Sequence, residues 1–541
     1  MSDRFFVGVD VGTGSARAGV FDPDGTLLAG RKQDIRSWRE AGDIVEQSSE
    51  DIWCAVCASV RAAVKEAGIS PDRVAGIGFD AACSLVVLDR GMKPLSISPS
   101  GDNARNIIVW MDHRAVDQAD RINAMGHRVL DYVGGRISPE MQTPKLLWLK
   151  ENMPETFARA GQFFDLPDFL TWIATGSLAR SACTVTCKWT YLAHEDAWDS
   201  SYFSAIGLGE LADEDYARIG REIVAPGAPV GQGLTQEAAD ALGLRPGTAV
   251  GAGLIDAHAG GIGTVGAEGS AGPELTMAYV FGTSACTMAS SADAHFVPGV
   301  WGPYYSAMVP GLWLSEGGQS AAGQAIAHLI ATHPARQTAE TAAEAAGISV
   351  QAYLLSEVER RCPDPSEAVM LAGSRMIVPD FLGNRAPFAD PHATAIMSGM
   401  TLDVGIDDLM ATYVAGVLGV GYGLRKIIDT QSAHGVTPGA VVVSGGAGES
   451  DFIKQLLADA SGLPVLSMTC PEPVLLGAAM LGAVASGHKP SLQACMETMS
   501  HVGARFEPAT GRVAAIHAER LKAYDAFQEI ERALRAGLKS A

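Results

Sequence analysis

One local pattern occurs twice in this chain and limits its fold more than any other feature. It is an apolar strand, a tip of glycine and hydroxyl residues, and a second strand. The first copy is Phe5–Asp10, the tip Val11–Ser15, then Arg17–Phe21. The second is Leu275–Phe281, the tip Gly282-Thr283-Ser284, then Ala285–Ala289. Each reads as a β-hairpin and not as the opening of a βαβ unit. The copies lie half a chain apart, so two units each begin with a sheet. Length agrees, because 541 residues exceed what one core holds at roughly 100–200 residues per domain.

The remaining pattern fills out both halves. In the first, Ser49–Ala67 reads as a helix with Trp53, Val56 and Val60 on one face. Val74–Phe79, Leu85–Asp89 and Ile107–Met111 read as strands, and Pro144–Gly176 as helical. In the second, a helix is expected at Gln319–Thr332 and a surface linker or helix at Gln337–Gly347. A buried strand at Ala440–Ser444 and a helix at Ser450–Ser461 follow. The apolar run Val474–Ser486 reads as a packed helix. Ile516, Leu521, Tyr524, Phe527, Ile530, Leu534 and Leu538 mark a closing amphipathic helix.

Charge and cysteine content exclude several classes of function. Lys and Arg number 40 against 61 Asp and Glu, a net charge of −21 with no basic patch, so a nucleic-acid partner is not expected. No apolar run approaches the ~18 residues of a membrane helix, and the chain enters its first strand at once, so neither membrane nor targeting segment is expected. Nine cysteines, an odd number, suit free thiols in a reducing cytoplasm. Cys54 with Cys57, and Cys183 with Cys187, read as buried helical cysteines, since no second pair stands at zinc spacing.

The glycine tips carry the chemistry. In Asp10-Val11-Gly12-Thr13-Gly14-Ser15, backbone N–H groups can converge on one anion, with Thr13 and Ser15 adding hydroxyls. Asp10 at the strand end could hold Mg²⁺ through water. The alternative is a plain hairpin turn. No Gly-Lys-Ser/Thr and no helix follows, so this is neither a Walker A loop nor a dinucleotide fingerprint. Gly261-Ile262-Gly263-Thr264-Val265-Gly266 matches G-x-G-x-x-G, but no strand precedes it, so no dinucleotide site is expected there. Ser444-Gly445-Gly446-Ala447-Gly448 lies between a strand and a helix, which suits either a nucleotide or a tight turn.

Taken in order, these three glycine segments resemble the actin/hexokinase-like ATPase core. Asp380-Phe381-Leu382-Gly383-Asn384-Arg385-Ala386-Pro387 resembles a signature of the FGGY family of carbohydrate kinases. Gly251-Ala252-Gly253-Leu254-Ile255-Asp256-Ala257-His258 resembles that family's catalytic-aspartate segment. The resemblance runs from Phe5 to about Gly487. Further segments resemble the pentulose kinases, and most of all those acting on D-ribulose. They are Trp110–Ala115, Gly78–Ser84, Thr186–Trp189 and Ser315–Ser320. The Arg-Glu pair of glycerol kinases and the Met-His pair of xylulokinases are both missing at Asp80–Ser84. Position 82 is Ala where relatives often carry Thr.

The resemblance implies an α/β fold of two actin/hexokinase-like, that is ribonuclease H-like, domains with a cleft between them. Residues 1–265 would bind sugar and phosphate and residues 266–541 the nucleotide. The implied reaction is ATP-dependent phosphorylation of D-ribulose. L-ribulose, ribitol and xylulose are alternatives, and a non-catalytic actin-like scaffold is the reading of another class. Asp256 is the expected general base, though its local sequence fits a helix N-cap equally well. Sugar contacts are expected from Asp80, Ala82, Asp112, Lys188, Asp256 and Glu316, the last placed before two glycines at a helix start. Gly12, Thr13, Gly14, Ser15, Gly282 and Thr283 would hold phosphates. Gly323, Gly446, Ala447 and Ser450 would bracket the adenosine, and Asp10 and Asp256 would hold Mg²⁺. His258 is expected to support the site and Trp110 to sit in the core. A homodimer or homotetramer is the expected assembly.

Overall fold

The computed structural model describes residues 4–40, 44–446 and 449–540. Two sheets organise them. The first has five strands in the order Ala249–Ile255, Val74–Ala81, Phe5–Val11, Ser15–Phe21, Leu27–Asp34. Phe5–Val11 is buried from its second residue onward because it is central and covered on both faces. The second sheet has seven strands, with Thr276–Phe281 between Ala285–Ser291 and Ala440–Ser444, and Trp313–Gln319 beyond Ala285–Ser291. In both sheets the expected hairpin is present, antiparallel, and flanked by a parallel strand.

Register positions the first acidic residue. Asp10 pairs with Arg17 across the hairpin and with Asp80 across the parallel neighbour. The helix Asp256–Ile262 leaves the end of Ala249–Ile255, so Asp256 stands at the sheet's edge beside Asp10 and Asp80.

The apolar run near the end of the second half forms the helix Pro473–Ala485, which packs onto the first sheet. Glycines make this possible. A Cβ at Gly8 would lie 1.9 Å from the Leu475 carbonyl oxygen, and one at Gly78 2.0 Å from that of Ala478. The G-x-G-x-x-G match belongs to the same packing, since a Cβ at Gly263 would lie 2.0 Å from the Pro473 oxygen. These glycines serve close approach of helices and not a dinucleotide.

Several expectations change in detail. Glu316 lies inside the strand Trp313–Gln319, and the helix after it begins only at Gly323, because pairing with Ala285–Ser291 continues through the two glycines. Lys188 is on the helix Ala182–Trp189. The segment expected as linker or helix is the helix Arg336–Ala346. Cys57, Cys183 and Cys187 are buried, whereas Cys54 is exposed, one position round the helix from the core-facing stripe. The closing helix Gly511–Ser540 buries Tyr524 but leaves Ile530, Leu534 and Leu538 exposed.

Candidate active site

A cavity of about 440 Å³ opens between the two sheets. From the first half it is lined by Asp10, Gly12–Ser15, Arg17, Ala82, Cys83, Trp110, Glu140, Lys188 and Asp256. The second half contributes Ser284, Cys286, Trp301, Glu316, Arg385 and Val474. Gly12–Ser15, Asp256, Ala82, Lys188 and Glu316, expected from sequence to act on phosphate, proton and sugar, therefore line one cavity.

The phosphate end is built by the first hairpin. The Gly12 N–H donates to the Ser15 carbonyl at 3.1 Å, closing the tip, and a Cβ at Gly14 would meet nothing within 4 Å. Asp10 accepts two bonds from the Arg17 guanidinium, at 2.7 and 2.5 Å, and Arg17 also reaches Glu472 at 2.7 Å. Across the cleft Gly282 closes a matching tip, its N–H donating to Ser284 O at 2.9 Å. Gly323 is pressed against that turn, donating to Gly282 O at 3.0 Å; it shapes the tip from behind. Gly446 follows the adjacent strand with open space where a Cβ would be, and Ser450 caps the next helix by accepting from Ile453 N–H. Ala447 lies outside the described residues.

Three carboxyls crowd the floor. Burial first, and Asp10 second, push the Asp256 carboxyl up to about 6, against the Ala257 N–H that donates to it at 2.7 Å. Asp80 is fully buried, and neither of its oxygens meets an N–H or O–H donor. Burial first, and the adjacent Asp10 second, hold its carboxyl well above the usual range. Asp80 does not line the cavity. It stands beside Asp10 across the parallel strands, set back from the cavity where its sugar contact was expected. Asp10 and Asp256 do face the cavity. Two carboxylates on one wall are hard oxygen donors that suit Mg²⁺ shared with phosphate oxygens and water. Among the described residues no group of three or more His, Cys, Asp or Glu forms an all-protein cage.

The sugar end holds a buried mixed-charge set. Lys188 has, among the described residues, no hydrogen-bond acceptor on its ammonium, which lies 5.5 Å from the Trp301 ring centroid. Burial would lower its pKa, but Cys83, Glu316 and Tyr304 raise it well above the ordinary value. Burial would raise the Glu316 carboxyl; the His258 hydrogen bond and the Lys188 charge override this and bring it down to about 2. His258 stands with Nε2 3.4 Å from Glu316 and Nδ1 3.1 Å from the Cys183 sulfur.

Asp112 is also buried away from the cavity. Its oxygens accept from Val45 N–H at 2.7 Å and from the Arg114 backbone and guanidinium at 2.8–3.0 Å. With its lone pairs occupied it braces the loop, apart from the cavity in which its sugar contact was expected. Trp110 departs from expectation in the other direction: it lines the cavity and donates Nε1–H to the Thr13 hydroxyl at 3.0 Å. Arg385, Glu140, Trp301 and Arg17 were not singled out from the sequence. Arg385 sits in the signature segment quoted above, and its guanidinium faces the cavity with, among the described residues, Cys286 and Trp301 as partners. A charged residue inside that glycine- and proline-rich segment was the signal available for it. Glu140 and Trp301 come from loops and strands far away in sequence, and nothing local marked them.

Comparison with known proteins places this geometry. Residues 5–263 match the FGGY family of carbohydrate kinases, N-terminal domain, and residues 277–486 the C-terminal domain of the same family. The chain is 47% identical over 510 residues to a human FGGY carbohydrate kinase domain-containing protein, covering 93% of this chain and 92% of the other. It is 38% identical over 515 residues to a D-ribulokinase of Saccharomyces cerevisiae, covering 89% and 72%. A ligand-bound xylulose kinase structure from Lactobacillus acidophilus superposes with a TM-score of 0.79 at 20% identity, covering 98% of this chain and 99% of that one.

Proposed function

Because the chain belongs to the FGGY family of carbohydrate kinases, we propose that the sugar it phosphorylates is D-ribulose, giving D-ribulose 5-phosphate, with Asp256 as general base. The family assignment makes it an ATP-dependent sugar kinase. The observation that carries the finer reading is the buried Lys188 ammonium. Among the described residues it has no acceptor, and it shares with Asp256 and Glu316 a cavity lined from both halves. A buried ammonium without an acceptor is costly, and a polyol supplies the missing oxygen. The activity named for the Saccharomyces relative supports the same sugar.

The chemistry follows from the wall. Asp256 takes the proton from a terminal sugar hydroxyl as its oxygen attacks the γ-phosphorus. The new O–P bond forms while the bond to the β-phosphate oxygen breaks, releasing ADP. The Thr13, Ser15 and Thr283 hydroxyls, with the tip N–H groups not bonded inside the turns, would donate to the phosphates, while the Gly12 and Gly282 N–H groups hold the turns closed. Lys188, Glu316 and the backbone at Ala82 hold the sugar, and Arg385 closes the opposite side. Asp10 and Asp256 would hold Mg²⁺, which when bound neutralises charge on the phosphates. Residues 1–265 would carry sugar and phosphate binding and residues 266–541 nucleotide binding, with the helix Pro473–Ala485 returning to the first sheet.

A substrate panel tests this reading. The highest kcat/KM should fall on D-ribulose, with lower values on L-ribulose, ribitol and D-xylulose. Glycerol, with three oxygens, should be almost inert, because each site group left unpaired costs about 1–3 kcal/mol. Lys188→Met should cut kcat/KM for the ketose far more than it weakens ATP binding. If xylulose or glycerol is the best acceptor, the choice of sugar is wrong while the kinase assignment stands.

A further inference from the structure

We propose that His258 is a positioning residue for sugar binding, holding the Glu316 carboxylate in its cavity-facing orientation by bridging it to Cys183. The inference rests on the reading of Glu316 as a sugar contact. The three residues come from separate elements: Cys183 from the helix Ala182–Trp189, His258 from the helix that opens with Asp256, and Glu316 from a strand of the second sheet. Nδ1 of His258 lies 3.1 Å from the Cys183 sulfur and Nε2 lies 3.4 Å from a Glu316 oxygen. Cys183 and His258 are fully buried, and Glu316 is nearly so.

The Cys183 sulfur has a second partner. It accepts the Ile255 N–H at 3.4 Å, immediately before Asp256 in the chain. One sulfur therefore touches both the backbone that delivers the base and the ring that holds the sugar-side carboxylate. The helix bearing Cys183 also bears Lys188. Cys183 and His258, which do not themselves line the cavity, thus link the elements bearing Lys188, Asp256 and Glu316. Among the described residues, the His258 contact is the one side-chain hydrogen bond that Glu316 makes. Without it the carboxylate is free to rotate on its strand, and the sugar must order it on binding.

Conservative replacements separate the two ends of the ring. In His258→Asn the amide nitrogen occupies the place of Nδ1 and loses Glu316, whereas in His258→Gln it occupies the place of Nε2 and keeps it. Steady-state kinetics with D-ribulose should show KM for the sugar raised roughly 10- to 100-fold in His258→Asn. KM for ATP should stay within about twofold, and His258→Gln should recover most of the loss. In a double-mutant cycle, His258→Asn should add little once Glu316→Gln is present. Equal effects from Asn and Gln at 258, or parallel losses in both KM values, overturn the proposal and leave a purely structural histidine. If Glu316→Gln itself leaves the sugar KM unchanged, the sugar contact fails instead. If Glu316→Gln raises it and neither His258 variant does, only the positioning role fails. Melting temperatures of all variants identify any that fail to fold. The Cys183→Ser variant, which keeps a hydrogen-bonding atom at position 183, then provides the same sugar-KM readout, with no change in sugar KM on Cys183→Ala counting against the bridge.

Discussion

A carboxyl buried beside other carboxyls is hard to ionise, and this suits Asp256 to the role of base proposed for it. Its carboxyl, pushed up to about 6 by burial and Asp10, is better matched to a hydroxyl's proton than an exposed aspartate. Asp256→Asn should fold normally, bind ATP, and lose roughly 10²–10⁴ in kcat; activity within threefold of the parent would place the base elsewhere. A second buried acid works through stability. Burial first, then Asp168, pushes the Asp165 carboxyl up to about 7 from 3.8. With the folded value above the unfolded one, this group favours the folded state at low pH, and that contribution is lost as pH rises from about 4 to about 7. One Asp165 oxygen accepts both the Gln142 amide at 2.8 Å and the Trp189 indole N–H at 3.1 Å, so an amide in its place keeps both bonds. In calorimetry at a series of pH values, Asp165→Asn should melt above the parent at pH 8 and converge with it near pH 4. A lower melting point at pH 8 would refute this.

At the scale of elements, glycine does two different jobs here, and substitution tells them apart. Along the first sheet glycine admits the helix Pro473–Ala485 to van der Waals contact with the strands. Gly78→Ala would set a methyl group 2.0 Å from the Ala478 carbonyl oxygen, where neither backbone can yield. Overpacking of this kind costs about 1–3 kcal/mol or more, so the melting temperature should fall. At the hairpin tip the space is open: a methyl at Gly14 meets nothing within 4 Å. Gly14→Ala should leave the melting temperature near the parent's and raise KM for ATP, because it narrows only the phosphate side of the cavity. If both substitutions destabilise equally, the two roles are not distinct.

Over the whole molecule, the cavity is shared by two sheets whose hairpin tips face each other. Its walls belong to different halves of the chain, so ligands that span it favour a closed arrangement. D-ribulose with a non-hydrolysable ATP analogue should therefore reduce the radius of gyration in small-angle X-ray scattering. An unchanged profile at saturating ligand would mean a rigid site. The helix Pro473–Ala485 bears on this motion. It belongs to the second half in sequence but lies on the first sheet, so the chain must bend on either side of it for the halves to close.

Much of this was legible in the chain itself. Both hairpins, their glycine tips, the buried strand Ala440–Ser444 and the apolar helix near residue 480 follow from local alternation and turn chemistry, which act over a few residues. Asp256 was marked by an apolar run ending in an acid before a run of small residues. Local pattern misled where the outcome depends on what lies opposite. Asp80 and Asp112 are polar residues in segments resembling a sugar site, yet both lie off the cavity lining, Asp80 beside Asp10 by strand register and Asp112 held by the Val45 N–H and the adjacent Arg114. Glu316 read as a helix start because two glycines follow it, but pairing with Ala285–Ser291 keeps it in a strand. Trp110, Glu140, Trp301 and Arg385 meet only when the two sheets are packed. Alternation and turns are written in neighbouring residues, whereas the surroundings of a buried charge are set by register and packing between segments tens to hundreds of positions apart.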